Sequence, residues 1–448
     1  MPQTNIEFTV SRLRKSFASG RTQPLSWRRS QLHGLLQMFK THAPEFTEAL
    51  RDDLDKPVME SRVSETGYVQ AEIKYALKHL KKWAAPQSIF TPLRLRPGKA
   101  WIQPEPYGTA LIIGPWNFPV QLALTPLIAA VAAGNCAILK PSEIAPATSA
   151  LLARRLPEYL DREAIAVIEG DADTAKLLLK QKFDYIFYTG NPAVGRKVMA
   201  AASEHLTPVT LELGGKCPCI VDDTCDIKVA ARRIVWGKYL NAGQTCVAPD
   251  YLLVQKSIEP ELVDLMCRAI SDFYGNDPQA SPDYGRIVSD KHFQRLTELL
   301  TGKHEIITGG GSAAENRFIE PTIVRETPLN GSLMQDEIFG PILPVLNFQH
   351  LQEAVEFVNQ RPKPLALYLF SSDRHSQNTI LEHTSAGGVC INDTIMQLGA
   401  PPLPFGGVGE SGMGRYHGKA GFDTFSNAKT ILKRRTWFDP SLRYPPYG

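Results

Sequence analysis

The feature that most constrains the fold is a regular alternation of short apolar segments with segments of helical length, which begins near Gln103. Strands are predicted at residues 108–113, 136–139, 164–168 and 185–188. A second alternating block begins near Val209, with strands predicted at residues 218–221, 251–255 and 365–370. Strands separated by helical segments indicate parallel βαβ units whose sheets are covered on both faces. The sequence therefore predicts an α/β fold.

Length and charge limit the class of protein. The 448 residues suffice for two or three domains of about 150 residues each. Lys and Arg number 49 against 46 Asp and Glu, and a net charge of +3 predicts no broad surface for nucleic acid. The seven cysteines have no disulfide-framework spacing, which favours a reducing compartment. We expect a multi-domain, enzyme-sized protein.

The longest apolar run, residues 122–139, is a poor candidate for a membrane span. Pro126, Gly134 and Asn135 interrupt it, and a span needs about 20 mostly apolar residues. It predicts a buried helix, a turn at Gly134-Asn135 and a strand at 136–139. The first residues lack a secretory signal and the last lack a hydrophobic tail, so a cytoplasmic protein without a membrane anchor is expected.

Two regions differ from the alternating blocks. Residues 1 to about 83 carry helical patterns, including the segment WRRSQLHGLLQMFKTH. Residues 89–106 are rich in proline and basic side chains, and they predict an extended arm outside either domain.

Cys246 is the candidate nucleophile, in the segment Asn-Ala-Gly-Gln-Thr-Cys-Val. A lone cysteine is more often a small buried apolar residue. Here a flexible polar turn follows an aromatic helix, and a thiol in such a turn is expected to be exposed and more acidic than free cysteine. The surroundings typical of a papain-like hydrolase are missing.

Two further side chains are candidates for acid–base and oxyanion chemistry. Glu212 lies between Leu211 and Leu213, and apolar flanks raise the pKa of a carboxylate toward that of a general base. A plain ion pair with Lys216 is the alternative. Asn117 follows a predicted strand, where its amide could donate to an oxyanion, although an ordinary β-turn would use the same residues.

Several segments suggest nucleotide binding. The glycines of 190–195 follow a strand and precede a helix predicted at 196–202, an arrangement that suits phosphate. Residues 140–143 (Lys-Pro-Ser-Glu) suit ribose hydroxyls, with a capping box at Ser142 as the alternative. Residues 337–341 place a carboxylate and an aromatic ring on a tight turn, and the glycine-rich residues 404–414 predict a packed loop. Cys217, Cys219 and Cys225 lack partner ligands, so no metal is predicted.

Together and in this order, these motifs resemble those of the aldehyde dehydrogenase superfamily. The motifs are Pro-Trp-Asn-Phe-Pro, Lys-Pro-Ser-Glu, Thr-Gly-x4-Gly, Glu-Leu-Gly-Gly-Lys, Gly-Gln-Thr-Cys, Glu-Ile-Phe-Gly-Pro and Pro-Phe-Gly-Gly-Val-Gly-x-Ser-Gly-Met-Gly. The short N-terminal region, Cys-Val-Ala-Pro-Asp-Tyr and the Arg-Tyr-Pro-Pro end resemble the class-3 branch, which acts on fatty and aromatic aldehydes.

The resemblance implies NAD(P)-dependent oxidation of aldehydes to carboxylic acids. Cys246 would form a thiohemiacetal and then a thioester, Asn117 would stabilise the oxyanion, and Glu212 would activate water. The implied cofactor residues are Trp116, Lys140, Ser142, Glu143, Gly190, Gly195, Leu213, Gly214, Glu337 and Phe339. Candidate substrate-tunnel residues are Tyr68, Phe118, Trp236 and Ile395, which are equally explicable as core.

The resemblance also implies a domain arrangement. A doubly wound nucleotide-binding domain would combine residues 1–83 and 105–210, and residues 211–413 would form an α/β catalytic domain. Residues 84–104 and 414–448 would form a small oligomerisation arm, with a homodimer as the expected assembly.

Three matters stay open in the sequence. The carboxylate of Glu143 should repel a 2′-phosphate, which favours NAD over NADP, but a mobile side chain could swing away. Acyl transfer to coenzyme A, or a non-catalytic binding protein on the same fold, are the competing functions. The roles of Cys217, Cys219 and Glu410, and the identity of the aldehyde, are not determined.

Overall fold

The structure is a computed structural model that describes residues 3–447, with side chains from Asn5. The helices are α1 (Gln3–Ala18), α2 (Leu25–Leu54), α3 (Val58–Glu60), α4 (Gly67–Trp83), α5 (Gln121–Ala133), α6 (Pro146–Tyr159), α7 (Ala172–Leu179), α8 (Pro192–Ser203), α9 (Ile227–Tyr239), α10 (Glu259–Tyr274), α11 (Asp290–Leu300), α12 (Ser332–Gln335), α13 (Leu351–Asn359), α14 (Arg374–His383) and α15 (Gly418–Thr424).

The strands belong to three larger sheets and one short hairpin. They are β1 (Gln87–Ile89), β2 (Gly98–Pro106), β3 (Thr109–Ile113), β4 (Cys136–Lys140), β5 (Ile165–Val167), β6 (Tyr185–Thr189), β7 (Val209–Glu212), β8 (Pro218–Val221), β9 (Tyr251–Gln255), β10 (Glu305–Thr308), β11 (Ser312–Ala313), β12 (Phe318–Ile319), β13 (Thr322–Arg325), β14 (Ile342–Phe348), β15 (Ala366–Phe370), β16 (Gly388–Ile391), β17 (Gly412–Met413) and β18 (Ser426–Arg434).

The first sheet has the strand order β17-β7-β6-β3-β4-β5. Strands β3 to β7 are parallel, and β17 adds an antiparallel pair of residues at the edge. In chain order, β3, β4 and β5 are added toward one edge of the sheet, and β6 and β7 toward the other, so the order reverses at the boundary between β3 and β6. That boundary is a topological switch point, where the carboxyl ends of the strands leave a crevice for a ligand. The α/β prediction and its four strands in this block are confirmed.

The long apolar run behaves as predicted. Every residue of α5 is buried, because the helix lies between the first sheet and the N-terminal helices. It ends at Gly134, whose φ of 97° closes the helix in the left-handed region, and β4 follows. Among the helices of residues 3–447, none combines the length and the apolar character that a bilayer crossing requires.

The second sheet has the order β10-β13-β14-β9-β8-β15-β16. Its strands are parallel except β10, which pairs antiparallel with β13. The predicted strands at 218–221, 251–255 and 365–370 are confirmed to within one residue. Strand β14 was not predicted from the sequence; its Pro344 has no N–H to donate to the ladder, which disfavours a strand at this position.

The third sheet joins distant parts of the chain. Strand β2 pairs along its whole length with β18 and over three residues with β1. The extended arm predicted at 89–106 therefore contains the central strand of this sheet. Helix α15, which precedes β18, packs on α5 beside the first sheet, where Gly421 lies against Ala129. The division into domains stays a prediction.

We predict that Gly134→Ala lowers the free energy of unfolding by about 2–4 kcal/mol. The backbone is left-handed there, and a Cβ would lie 2.6 Å from an Arg28 guanidinium nitrogen. Urea denaturation measures the change. The matched control is Gly20→Ala, with a φ of 79° and no neighbouring atom nearer than 3.9 Å, which should cost about 1–2 kcal/mol. Equal losses in both variants would contradict the contact with Arg28.

Candidate active site

The site lies at the carboxyl edge of the first sheet. Strands β3, β4, β6 and β7 are parallel, so the residues that follow or end them meet at one edge. Those residues are Asn117 after β3, Lys140 at the end of β4, Gly190 after β6 and Glu212 at the end of β7. The fold thus brings together motifs that are up to about a hundred residues apart in the chain.

Cys246 follows α9 on a turn of unusual backbone geometry. Asn241 and Ala242 have φ values of 55° and 51°, so the chain reverses sharply before the thiol. The Cys217 thiol donates to the Cys246 carbonyl (Sγ–O 3.4 Å), which ties this turn to the second sheet.

The expected acidity of the Cys246 thiol is wrong for this structure. The side chain is half-buried rather than exposed. Burial raises the pKa of the thiol above its ordinary value, and the nearby carboxylates of Glu337 and Glu212 raise it further. Both causes disfavour the thiolate, and neither could be read from the local sequence around the cysteine.

Asn117 is buried against the Cys246 turn. Its amide nitrogen Nδ2 donates to the carbonyl of Gln244, two residues before the thiol, at 3.1 Å. The backbone carbonyl of Asn117 accepts from Asn241 Nδ2 at 2.9 Å and from Lys56 Nζ at 3.1 Å. These contacts, rather than a free β-turn, hold the segment that carries the amide.

Glu212 is the last residue of β7 and is only 3% exposed. Burial raises the pKa of this carboxyl well above its usual range, and the charge of Arg415 opposes the shift. Within the described residues, neither carboxylate oxygen has a hydrogen-bond partner. The alternative ion pair with Lys216 is not formed, because Lys216 Nζ contacts the Asp250 carboxylate instead. Glu212 is thus a buried carboxyl group with neither a hydrogen bond nor an ion pair among the described residues.

Glu337 lies on a loop that Asp250 and Lys216 hold in place. Asp250 Oδ1 accepts from the backbone of Ile338 at 2.9 Å, and Lys216 Nζ donates to the Leu333 carbonyl at 2.7 Å. Burial raises the pKa of Glu337 to about 8, with a further contribution from Asp250. Gly214 is in close contact with this carboxylate, since a Cβ there would lie 2.0 Å from Glu337 Oε2.

Aromatic and charged candidates occupy the same edge. The rings of Trp116 and Phe339 meet edge to face with centroids 5.3 Å apart. Lys140 Nζ lies 2.5 Å from Glu143 Oε2, with the lysine buried and the carboxylate partly exposed. Ser142 accepts from the backbone of Ile144, whereas α6 begins at Pro146, so the alternative capping box at Ser142 is not formed.

The glycines after β6 differ from the prediction in their positions. Helix α8 begins at Pro192 with Asn191 as its N-cap, not at residue 196. Gly195 therefore lies inside the first turn of the helix, where a Cβ would be 2.8 Å from Leu213 Cδ2. Gly190 remains in the turn before it. Because Gly195 has no side chain, α8 can lie close to Leu213, the residue that follows β7.

The candidate tunnel residues have mixed surroundings. The Tyr68 hydroxyl donates to the Leu398 carbonyl at 3.0 Å and lies beside His417. Phe118 is buried beneath Lys56 Nζ, 4.1 Å from its ring centroid. Ile395 is buried with a φ of 63°, and Trp236 is half-buried on α9. Their role in substrate binding stays a prediction.

The buried polar residues that connect these groups were not predicted from the sequence. Asn241 and Gln244 belong to the motif around Cys246 and could have been found there. Lys56 and Glu65 lie in a helical region with no signal of their own. Within residues 3–447, no three metal-ligating side chains come together.

A sequence profile described as "Aldehyde dehydrogenase family" matches residues 2–431. Aldehyde dehydrogenase family 3 member B1 of Rattus norvegicus is 48% identical, over 99% of this chain and 95% of that protein. The 4,4'-diaponeurosporen-aldehyde dehydrogenase of Staphylococcus aureus is also 48% identical, over 96% of this chain and 94% of that protein.

Solved structures agree with the sequence matches. The substrate-bound state of Staphylococcus aureus AldH superposes with a TM-score of 0.97 at 47% identity, covering 99% of this chain and 97% of that one. An NAD-dependent aldehyde dehydrogenase from Sinorhizobium meliloti has a TM-score of 0.89 at 28% identity, with coverages of 98% and 88%. With these matches over nearly its whole length, the chain belongs to the aldehyde dehydrogenase family and is a class-3-like aldehyde dehydrogenase.

Proposed function

We propose that the chain oxidises medium- or long-chain aliphatic, or aromatic, aldehydes to carboxylic acids with NAD or NADP. The observation that carries the proposal is the buried Glu212 carboxyl group without a partner among the described residues, close enough to Cys246 to raise the pKa of its thiol. A nucleophile and a base at one sheet edge suit acyl transfer to water. The Staphylococcus aureus relative is named as a 4,4'-diaponeurosporen-aldehyde dehydrogenase, which supports an aldehyde as the substrate.

The thiol of Cys246 loses its proton to water, and its sulfur attacks the aldehyde carbon, so that the carbonyl oxygen gains the negative charge as the thiohemiacetal forms. The amide of Asn117 and the backbone N–H of Cys246 donate to that oxygen, each contributing about 3 kcal/mol by comparison with similar donors. Asn117 Nδ2 carries two N–H groups, and its bond to Gln244 uses one of them. The second N–H is therefore available for the substrate.

Loss of a hydride from the thiohemiacetal carbon to bound nicotinamide would leave a thioester on Cys246. Glu212 then removes a proton from the water that attacks this thioester, the C–S bond breaks, and the carboxylic acid and the Cys246 thiolate are released. Its buried position supports this role, because a raised pKa makes the carboxylate a stronger base than an exposed glutamate. Acyl transfer to coenzyme A would need no such base.

The residues at the sheet edge suit a dinucleotide. The switch point between β3 and β6, and the close contact of Gly214 with Glu337, form a cradle that a larger residue at 214 would fill. Glu337 and Phe339 would hold the nicotinamide ribose, Lys140 and Glu143 the adenosine ribose, and residues 190–195 the pyrophosphate. Trp116, Ser142, Leu213 and Gly214 would line the same cradle. When bound, the nicotinamide supplies the acceptor for the hydride that leaves the thiohemiacetal.

The tunnel, the assembly and the location remain our proposals. Tyr68, Phe118, Trp236 and Ile395 would line the entry, where an apolar wall stabilises each buried methylene by about 0.8 kcal/mol. Residues 84–104 and 414–448 would form the arm of a homodimer. The central pairing of β2 with β18 supports such an arm. A cytoplasmic location remains a prediction.

We predict that Cys246→Ala abolishes NADH formation with hexanal. Glu212→Gln should retain one turnover per site but lose about 10²–10⁴-fold in steady-state rate, because the acyl-enzyme accumulates. Stopped-flow absorbance and intact-mass spectrometry measure both effects. The control Cys267→Ala, another half-buried cysteine, should behave as the wild type. Substantial NADH formation by Cys246→Ala would contradict the assignment of the nucleophile.

We predict that steady-state turnover rises with pH above the range in which an exposed glutamate titrates. A general base acts only when deprotonated, and burial raises the pKa of Glu212, so the active fraction increases toward alkaline pH. In Glu212→Gln, the rate of deacylation should not rise with pH. Decay of the isolated acyl-enzyme measures this rate. The same slope in both proteins would argue against Glu212 as the base.

We predict that Glu143→Gln raises kcat/KM for NADP relative to NAD by about two- to fivefold, the equivalent of one partly exposed charge interaction. The substitution removes repulsion of a 2′-phosphate and releases Lys140 from its ion pair. Initial rates with both coenzymes measure the ratio. Glu158→Gln on the neighbouring α6 is the control and should leave it unchanged; an unchanged ratio in Glu143→Gln would remove that residue from the ribose site.

A further inference from the structure

A fully buried ion pair lies behind the segment that carries Asn117. Lys56 Nζ is 2.7 Å from Glu65 Oε1, and both side chains are 0% exposed. Two charges removed from water are costly unless the geometry is good and further hydrogen bonds satisfy them. The remaining contacts of each partner therefore indicate what the pair holds in place.

Lys56 contacts the candidate oxyanion residue directly. Its Nζ donates to the Asn117 carbonyl at 3.1 Å and lies 4.1 Å from the centroid of the Phe118 ring. The same carbonyl accepts from Asn241 at 2.9 Å. A cation and an amide from two different elements thus fix one peptide group, and with it the direction of the Asn117 side chain.

Glu65 holds the other end of the same segment. Its Oε2 accepts from the backbone N–H groups of Val120 and Gln121, at 3.1 Å and 2.8 Å. These N–H groups belong to the start of α5, where intrahelical partners are missing and a negative charge is favourable. The ion pair therefore spans the segment 117–121 and fixes both of its ends.

We propose that Lys56 and Glu65 are positioning residues that keep the Asn117 amide aimed at the carbonyl oxygen of the aldehyde on Cys246. This inference rests on the proposed function. Neither residue touches the substrate; they act through the backbone of residues 117–121. Displacement of an oxyanion donor by about 1 Å can reduce the rate about 10²-fold. A substitution at Lys56 or Glu65 that shifts the Asn117 amide is therefore expected to lower the rate.

The first test is Lys56→Met, which keeps the length of the side chain and removes its charge and donors. We expect kcat with hexanal to fall about 10- to 100-fold. KM for NAD should stay within about twofold, because the contacts of Lys56 are to the Asn117 segment and not to the proposed cofactor residues. A kcat within about twofold of the wild type would overturn the proposal.

A double-mutant cycle separates positioning from general damage. Asn117→Ala alone should lower kcat by about 10²–10³-fold. Lys56→Met added to Asn117→Ala should lower it by no more than about twofold further, because the amide that Lys56 positions is already gone. Losses that multiply in the double variant would show that Lys56 acts independently of Asn117, and the proposal would be wrong.

A second variant keeps the test valid if Lys56→Met does not fold. Lys56→Met/Glu65→Gln removes both charges, which is often tolerated, and glutamine retains an oxygen for the α5 N–H groups. Arg28→Met is the matched control, because Arg28 is a buried cation that donates to the Ala132 carbonyl at the opposite end of α5. It should lower thermal stability but leave kcat of the folded enzyme unchanged.

The outcomes distinguish the two proposals. If Asn117→Ala turns over like the wild type, the oxyanion role in the proposed function is wrong, and the positioning role is wrong with it. If Asn117→Ala is impaired while folded Lys56→Met/Glu65→Gln matches the wild type and the Arg28→Met control, the positioning role alone is wrong. A loss in the ion-pair variants that disappears in the Asn117→Ala background supports it.

Discussion

The removal of ionisable groups from water at one edge of the first sheet is the constraint on which the site depends. Glu212, Glu337 and the thiol of Cys246 all have raised pKa values, and burial is the largest cause in each case. Each neutral form is favoured by the same low-dielectric surroundings that strengthen hydrogen bonds within them. Burial therefore shifts all three groups toward their neutral forms.

Parallel strand pairing explains how such a site is assembled. A strand end buried on both faces can present a side chain to an apolar crevice while its backbone remains paired. Glu212 is held in this way: β7 pairs with β6 on one side and with Gly412–Met413 on the other. The glycine-rich segment is thus a structural neighbour of the carboxylate, in addition to being a packed loop.

Much of the fold could be predicted from the sequence because the spacing of apolar residues and the positions of glycine and proline are local properties. The alternation of strands and helices, the buried α5 and its end at Gly134 depend on neighbouring residues. Strand β14 was not predicted because a proline within a short apolar segment disfavours a strand, and only the sheet pairing around Pro344 shows that the strand forms. The early start of α8 depended on the Asn191 cap, which a helix pattern alone does not reveal.

The site was predictable in its residue types and less so in its electrostatics. Motifs indicated Cys246, Glu212 and Asn117, but the pKa of the thiol is raised first by burial in the folded chain and then by Glu337, which lies 91 residues further along. Lys56 and Glu65 belong to a helical region without any motif.

The pairing of β7 with residues 412–413 also has a consequence for synthesis of the protein on the ribosome. Glu212 emerges early, yet the strand beside it is completed only about two hundred residues later. A nascent chain therefore carries the nucleophile and the base well before the wall that encloses them exists. The enclosed form of the site is therefore complete only once translation has passed residue 413.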